Sequence, residues 1–315
     1  MSESDESKSL SWKQTDLIEA EMPACSVEWL SDQELLAVGC YELVDGETSE
    51  RKGKIEFYSI DEHGKYKKEH DLQCAAILDM KYDLATSKLY AVDSNGFISI
   101  INKEKKIEKS FQTTQGLCLS LGIKETSVAV SSSVGSISIV DKQTLEETGW
   151  MGVHDDAEAW IVALGPNETM FTGGDDSTFC LWDLKSHETI VRKKFMCGQT
   201  SCEWSPINEN IIAQGGYDDT IRLWDTRNWR SPLDEQHLGG GVWRTRWNKD
   251  GTHLVVPCMY ENCRLIQVDS SNKIKELEKS DCHSSISYGG CWIQEKSLIS
   301  TCSFYDKKVA LWSFS

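Results

Sequence analysis

The chain has 315 residues, 39% of them hydrophobic, enough apolar side chain to build a substantial core. Fifty acidic residues against thirty-three basic ones give a net charge of −17, a field that repels nucleic-acid phosphates and anionic lipid and favours a cationic ligand or a basic protein surface. No stretch approaches the ~20 apolar residues that span a bilayer, and no basic start with an apolar run marks a secretion signal, so a cytoplasmic protein with neither a membrane nor a nucleic-acid partner is expected.

Taken in order, residues 1–10 are acidic and serine-rich and read as a disordered tail, which leaves residues 11–315 as one folded domain. Ser11 to Asp16 then read as a strand without a neighbour of its own. From there a unit of about forty residues recurs. Thr178-Phe179-Cys180-Leu181-Trp182-Asp183 returns as Thr220-Ile221-Arg222-Leu223-Trp224-Asp225 and again as Val309-Ala310-Leu311-Trp312. Tyr58, Ile101, Val140 and Val268 hold the tryptophan place in the weaker copies, so seven slots follow one another at 39 to 44 residues. Each unit alternates short apolar strands with polar turns, for example Ser201–Trp204, the turn Ser205–Asn208, then Ile211–Gln214. In the sixth unit the first strand reads as Val242–Trp247.

These repeats resemble the WD-repeat family, whose period is ~40–45 residues with four strands per unit. The resemblance implies an all-β, seven-bladed WD-repeat β-propeller. His154, Thr172, Asp176 and Trp182 fit the family's structural tetrad in blade four, and Asp218 with Trp224 fit part of it in blade five. The seventh unit stops after its third strand at Ser315, so the segment from Ser11 is expected to supply the missing strand and close the ring.

In that architecture the start of each first strand and the turn between the second and third strands reach one rim. The turns bring Tyr41, Asp175, Tyr217, Tyr260, Glu261 and Tyr305; the strand starts bring Glu28, Asp79, Glu158, Trp160, Trp243, Arg244 and Tyr288. Many π-faces beside carboxylates suit a quaternary ammonium group. The twelve cysteines are scattered and read as reduced, buried thiols; Cys197/Cys202 and Cys258/Cys263 lack the histidines of a zinc site, so no metal and no other cofactor is expected. Nucleophile-elbow, His-Glu-x-x-His and phosphate-loop motifs are absent from the sequence.

Further strings carry a narrower resemblance: Ser26-Val27-Glu28-Trp29, Glu158-Ala159-Trp160-Ile161, Gly240-Gly241-Val242-Trp243-Arg244 and Thr301-Cys302-Ser303-Phe304-Tyr305-Asp306, with the long turn Glu42 to Lys52. Together they are similar to the diphthine methyl ester esterases, WD-repeat hydrolases of diphthamide biosynthesis. That resemblance implies a methylesterase acting on modified elongation factor 2, removing an ester methyl next to a trimethylammonium group. The base would be His154 or Glu158, with His283 as an alternative. Arg244 and the Gly239–Gly241 amides would stabilise the oxyanion, and Ser303 is an alternative nucleophile to water. Glu28, Asp79, Trp160, Asp175, Tyr217, Trp243, Arg244 and Tyr305 would bind substrate. A monomer is expected. A competing reading is a non-enzymatic adaptor: Trp224-Asp225-Thr226-Arg227 resembles a box found in WD-repeat substrate receptors of cullin ubiquitin ligases.

Overall fold

The computed structural model describes residues 12–44 and 50–314. The tail expected over residues 1–10, and residues 45–49 of the blade-one turn, lie outside the described part. Seven four-stranded antiparallel sheets make up the described chain. All seven repeat slots, Tyr58 to Trp312, lie in the third strand of their sheets.

The innermost strands line a central channel. In ring order they are β2 (Ala24–Leu30), β6 (Ile77–Asp83), β10 (Cys118–Ile123), β14 (Ala159–Leu164), β18 (Gln199–Trp204), β22 (Arg246–Trp247) and β26 (Ser287–Ile293). A strand with two apolar faces must cover both, and the core accordingly lies between the sheets. Each of the seven core clusters joins two neighbouring blades; one, for example, packs Val27, Leu36 and Val38 of blade one on Ile293, Val309 and Leu311 of blade seven.

The ring closes as the sequence implied. Strand β1 (Trp12–Glu19) pairs antiparallel with β28 (Lys308–Phe314), from Trp12 opposite Phe314 to Glu19 opposite Lys308. Trp12 stacks on Trp312 with ring centroids 4.8 Å apart, so the seam is packed as well as hydrogen-bonded. Blade six departs from expectation: only Arg246 and Trp247 of its inner segment form a regular ladder. Facing that segment, Pro257 accepts from the Trp243 N–H at 3.0 Å and has no N–H to return.

Candidate functional site

Six inner strands shift register just past their first residue. Such a bulge re-aims the side chain inside it. The bulged residues are Cys25, Leu78, Leu119, Trp160, Thr200 and Tyr288, and Trp243 holds the matching place in blade six. Together with the turns between second and third strands they form the upper mouth of the channel.

Here the expected aromatic rim is present as a continuous belt. Trp160 lies 5.5 Å from Trp243 and 6.3 Å from Tyr217, and Trp243 lies 4.8 Å from Tyr288 between ring centroids. Tyr288 continues to Phe304 at 5.7 Å, and Phe304 to Tyr41 at 4.7 Å and Tyr305 at 5.1 Å. Tyr305 is 70% exposed at the outer edge. Tyr288, Phe304 and Tyr41 were not among the residues singled out as binding groups, although Tyr41 and Tyr288 were read as rim positions.

Two carboxylates stand beside this belt. Asp175 accepts a hydrogen bond from the Trp160 indole at 3.2 Å, which fixes the ring. Half-buried Glu158 makes no side-chain hydrogen bond among the described residues; only its backbone carbonyl is engaged, by the Asp175 N–H at 2.9 Å. Tyr217 is pushed up to about 12 by burial first and then by the Asp175 charge, with Glu158 adding to it, so its phenol is a neutral donor at pH 7.

Neither histidine candidate faces the belt with a free nitrogen. His154 Nδ1 meets Asp176 at 2.9 Å and Nε2 meets Thr172 at 3.0 Å, while the Trp182 indole donates to Thr172 at 2.9 Å. This is the structural tetrad, and burial lowers the pKa of the ring. His283 repeats the arrangement: Nε2 meets Thr301 at 2.8 Å, Nδ1 meets Ser303 at 2.8 Å, and Trp312 donates to Thr301 at 2.9 Å. Burial holds His283 down to about 4. The base role proposed for both is therefore corrected, because their nitrogens are spent inside blades four and seven. Ser303 is wholly buried in the same network, with Asp306 as its other partner. In blade five Gln199 and Gln214 replace the tetrad, Trp224 donating to Gln214 at 3.1 Å, while Asp218 pairs with Arg222 instead.

Glu28, Asp79 and Arg244 are also corrected: they line the channel below the rim. The strand starts are earlier than assumed, at Ala24 and Ile77, so Asp79 follows the bulge and Glu28 lies two residues deeper. Asp79, 2% exposed, accepts from Ser120 Oγ at 3.0 Å and the Leu121 N–H at 3.3 Å. Arg244, 5% exposed, reaches across the channel and donates to the carbonyls of Thr200, Trp243 and Leu119 at 3.0, 2.9 and 3.3 Å. Buried and tied to three backbone carbonyls, it is a plug and not an oxyanion donor; only about 10 Å³ of cavity remains around it.

Beneath the plug a lower mouth opens. Its layer, one residue from each blade, reads Glu28, Lys81, Gly122, Ala163, Glu203, Arg246 and Cys291. Burial raises Glu28 to about 7 and Glu203 to about 8. Sequence reading missed Glu203, Lys81 and Arg246. The signal was there, as a polar residue followed by an aromatic one in Glu28-Trp29, Lys81-Tyr82, Glu203-Trp204 and Arg246-Trp247. A separate trio of carboxylates, Glu21, Glu56 and Asp71, is held by Lys54 and Lys68, whose ammonium groups each reach all three.

Residues 151–183 and 187–225 match the WD domain, G-beta repeat family. A solved structure described as the crystal structure of the mitotic checkpoint complex contains a chain that superposes with a TM-score of 0.80, over 96% of this chain and 94% of that one; at 16% identity it shows the fold alone. The diphthine methyltransferase of Schizosaccharomyces pombe is 30% identical, covering 89% of this chain and 91% of the relative. A Dictyostelium discoideum protein named diphthine methyltransferase homolog is 29% identical over 88% and 92%, and the Mus musculus diphthine methyltransferase is 28% identical over 87% and 68%. This chain belongs to the diphthine methyltransferase family of WD-repeat β-propellers.

Proposed function

We propose that this protein is a methyl ester hydrolase that removes the ester methyl of methylated diphthine on elongation factor 2. The observation that carries the reading is the belt of Trp160, Tyr217 and Trp243 beside Asp175 and Glu158. A trimethylammonium group gains up to ~2 kcal/mol over a desolvated aromatic face. The names of the relatives supply the substrate class, diphthine and its methyl group.

The ester carbonyl is bonded to the carbon that carries the trimethylammonium nitrogen, so the base must stand next to the belt. Glu158 is the carboxylate there without another partner. It takes a proton from water as the oxygen attacks the carbonyl carbon. The Tyr217 phenol and the Gly239–Gly241 amides are the neutral donors for the tetrahedral oxyanion. Collapse breaks the bond to the methoxy oxygen, which recovers the proton from Glu158 and leaves as methanol. The product is the free carboxylate, with the trimethylammonium unchanged. Incubating the purified protein with methyl-esterified elongation factor 2 should release one methyl group per modified histidine by mass spectrometry. An unchanged mass under multiple-turnover conditions refutes the reading.

A further inference from the structure

The lower mouth holds a cavity of about 470 Å³ that the hydrolytic reading does not use. It exists because the layer Glu28, Lys81, Gly122, Ala163, Glu203, Arg246 and Cys291 is uneven: blades three and four contribute only Gly122 and Ala163. The Arg244 plug separates this space from the aromatic belt.

We propose that the lower mouth is a binding site for a small organic carboxylate, held by Arg246 and Lys81 in the space over Gly122 and Ala163.

The lower mouth holds unspent donors. The Arg246 guanidinium is 13% exposed and donates no hydrogen bond among the described residues. Its nearest carboxylate oxygens are on Asp79 at 3.7 Å and Glu203 at 3.8 Å, beyond hydrogen-bond reach. Lys81 is likewise without a hydrogen bond, 3.9 Å from Glu203. The acids are not simply waiting for these cations. Each already accepts a backbone N–H of the next inner strand: Glu28 from Tyr82 at 3.0 Å, Asp79 from Leu121 at 3.3 Å, and Glu203 from Trp247 at 2.8 Å. Asp83 is neutralised by Lys142 at 3.0 Å. The Arg246 guanidinium is partly open to the cavity with no hydrogen-bond partner for its N–H groups among the described residues, and a bound carboxylate accepts two of them side by side.

The charge balance selects the ligand. Burial favours the protonated forms of Glu203 and Glu28, Lys142 offsets Asp83 and Lys124 offsets Glu125 on the cavity wall, which leaves Arg246 and Lys81 against Asp79. A monoanion fits that surplus. A phosphate dianion would meet Asp79 in a protein that already carries −17. The same surplus repels a trimethylammonium group, so the two mouths take opposite charges.

The test uses the full chain with N-acetylglycine, its neutral isostere N-acetylglycinamide, and inorganic phosphate, read by titration calorimetry and ligand-observed NMR. N-acetylglycine should bind at least roughly tenfold more tightly than either of the others. Arg246→Gln should weaken it by tenfold or more. Because Arg246→Gln also removes a buried charge, Ala163→Leu provides the second arm: it fills the cavity, leaves every charge in place, and should abolish binding at an unchanged melting temperature. The proposal is overturned if acid and amide bind alike, if phosphate binds best, if Ala163→Leu binds like the parent, or if none binds at tens of millimolar.

Discussion

Trp160 and Glu158 sit side by side but have separable duties. Trp160→Ala removes a face of the belt and should weaken substrate binding by roughly tenfold, since ~1.4 kcal/mol is one decade. Glu158→Gln keeps the shape and should lower kcat by a factor within ~10²–10⁴ with little change in affinity, measured by single-turnover hydrolysis and direct binding. Weakened binding with saturated turnover retained in Glu158→Gln would make Glu158 a cation-attracting group only. The rim aromatics were legible in the sequence because a turn or strand start announces Trp160, Tyr217, Trp243 and Tyr305. The depth of Glu28, Asp79 and Arg244 was not, because one bulged residue shifts every later side chain in the strand. Glu203 has a pH signature of its own. Its folded pKa, about 8, lies above the ordinary carboxylate value, so the folded protein holds a proton that the unfolded chain has lost. Stability from this group is complete below the unfolded value and declines as pH climbs toward 8. Glu203→Gln should therefore leave the melting temperature nearly unchanged near pH 4.5 and raise it progressively up to pH 8, as scanning calorimetry across that range would show.

At the level of strands, the blades differ in what ties them together. Blade four and blade seven each hold a His–Thr–Trp chain, His154–Thr172–Trp182 and His283–Thr301–Trp312. Spacing and motif identified the first. The second was read only as an alternative base at His283; in the structure Ser303, standing where blade four has Gly174, engages Nδ1 directly. Thr301→Val strands a buried imidazole and a buried indole, at a cost of about 1–3 kcal/mol for each group. The melting temperature should fall by several degrees, while the activity per folded molecule is retained at low temperature; loss of activity without loss of stability would return His283 to the chemistry. The seam makes the complementary prediction. Removing residues 1–17 deletes most of β1 and leaves the β28 edge open to other chains, whereas removing residues 1–9 spares the strand. Light scattering on heating should separate the two, and a 1–17 deletion that melts like the parent would contradict the role of the seam.

For the whole molecule, a charge of −17 on a propeller whose proposed substrate is a protein implies electrostatically assisted docking. Raising salt from about 0.05 to 0.5 M shortens the Debye length to a few ångströms. KM for the protein substrate should then rise severalfold while kcat stays level. A salt-independent KM would mean that docking relies on the apolar belt alone.

The seam between Trp12 and Phe314 also sets the order of events at birth. Strand β1 leaves the ribosome well ahead of β28, its one ladder partner among the described residues, which follows some 290 residues later; at ~5–20 residues per second the wait is roughly 15–60 s. Through that interval blades one to six can assemble vectorially, each new sheet covering the previous one, while Trp12, Leu17 and Ile18 trail free. Nascent chains of this protein should therefore engage a strand-shielding chaperone until β28 has emerged, and ring closure should be the slow step.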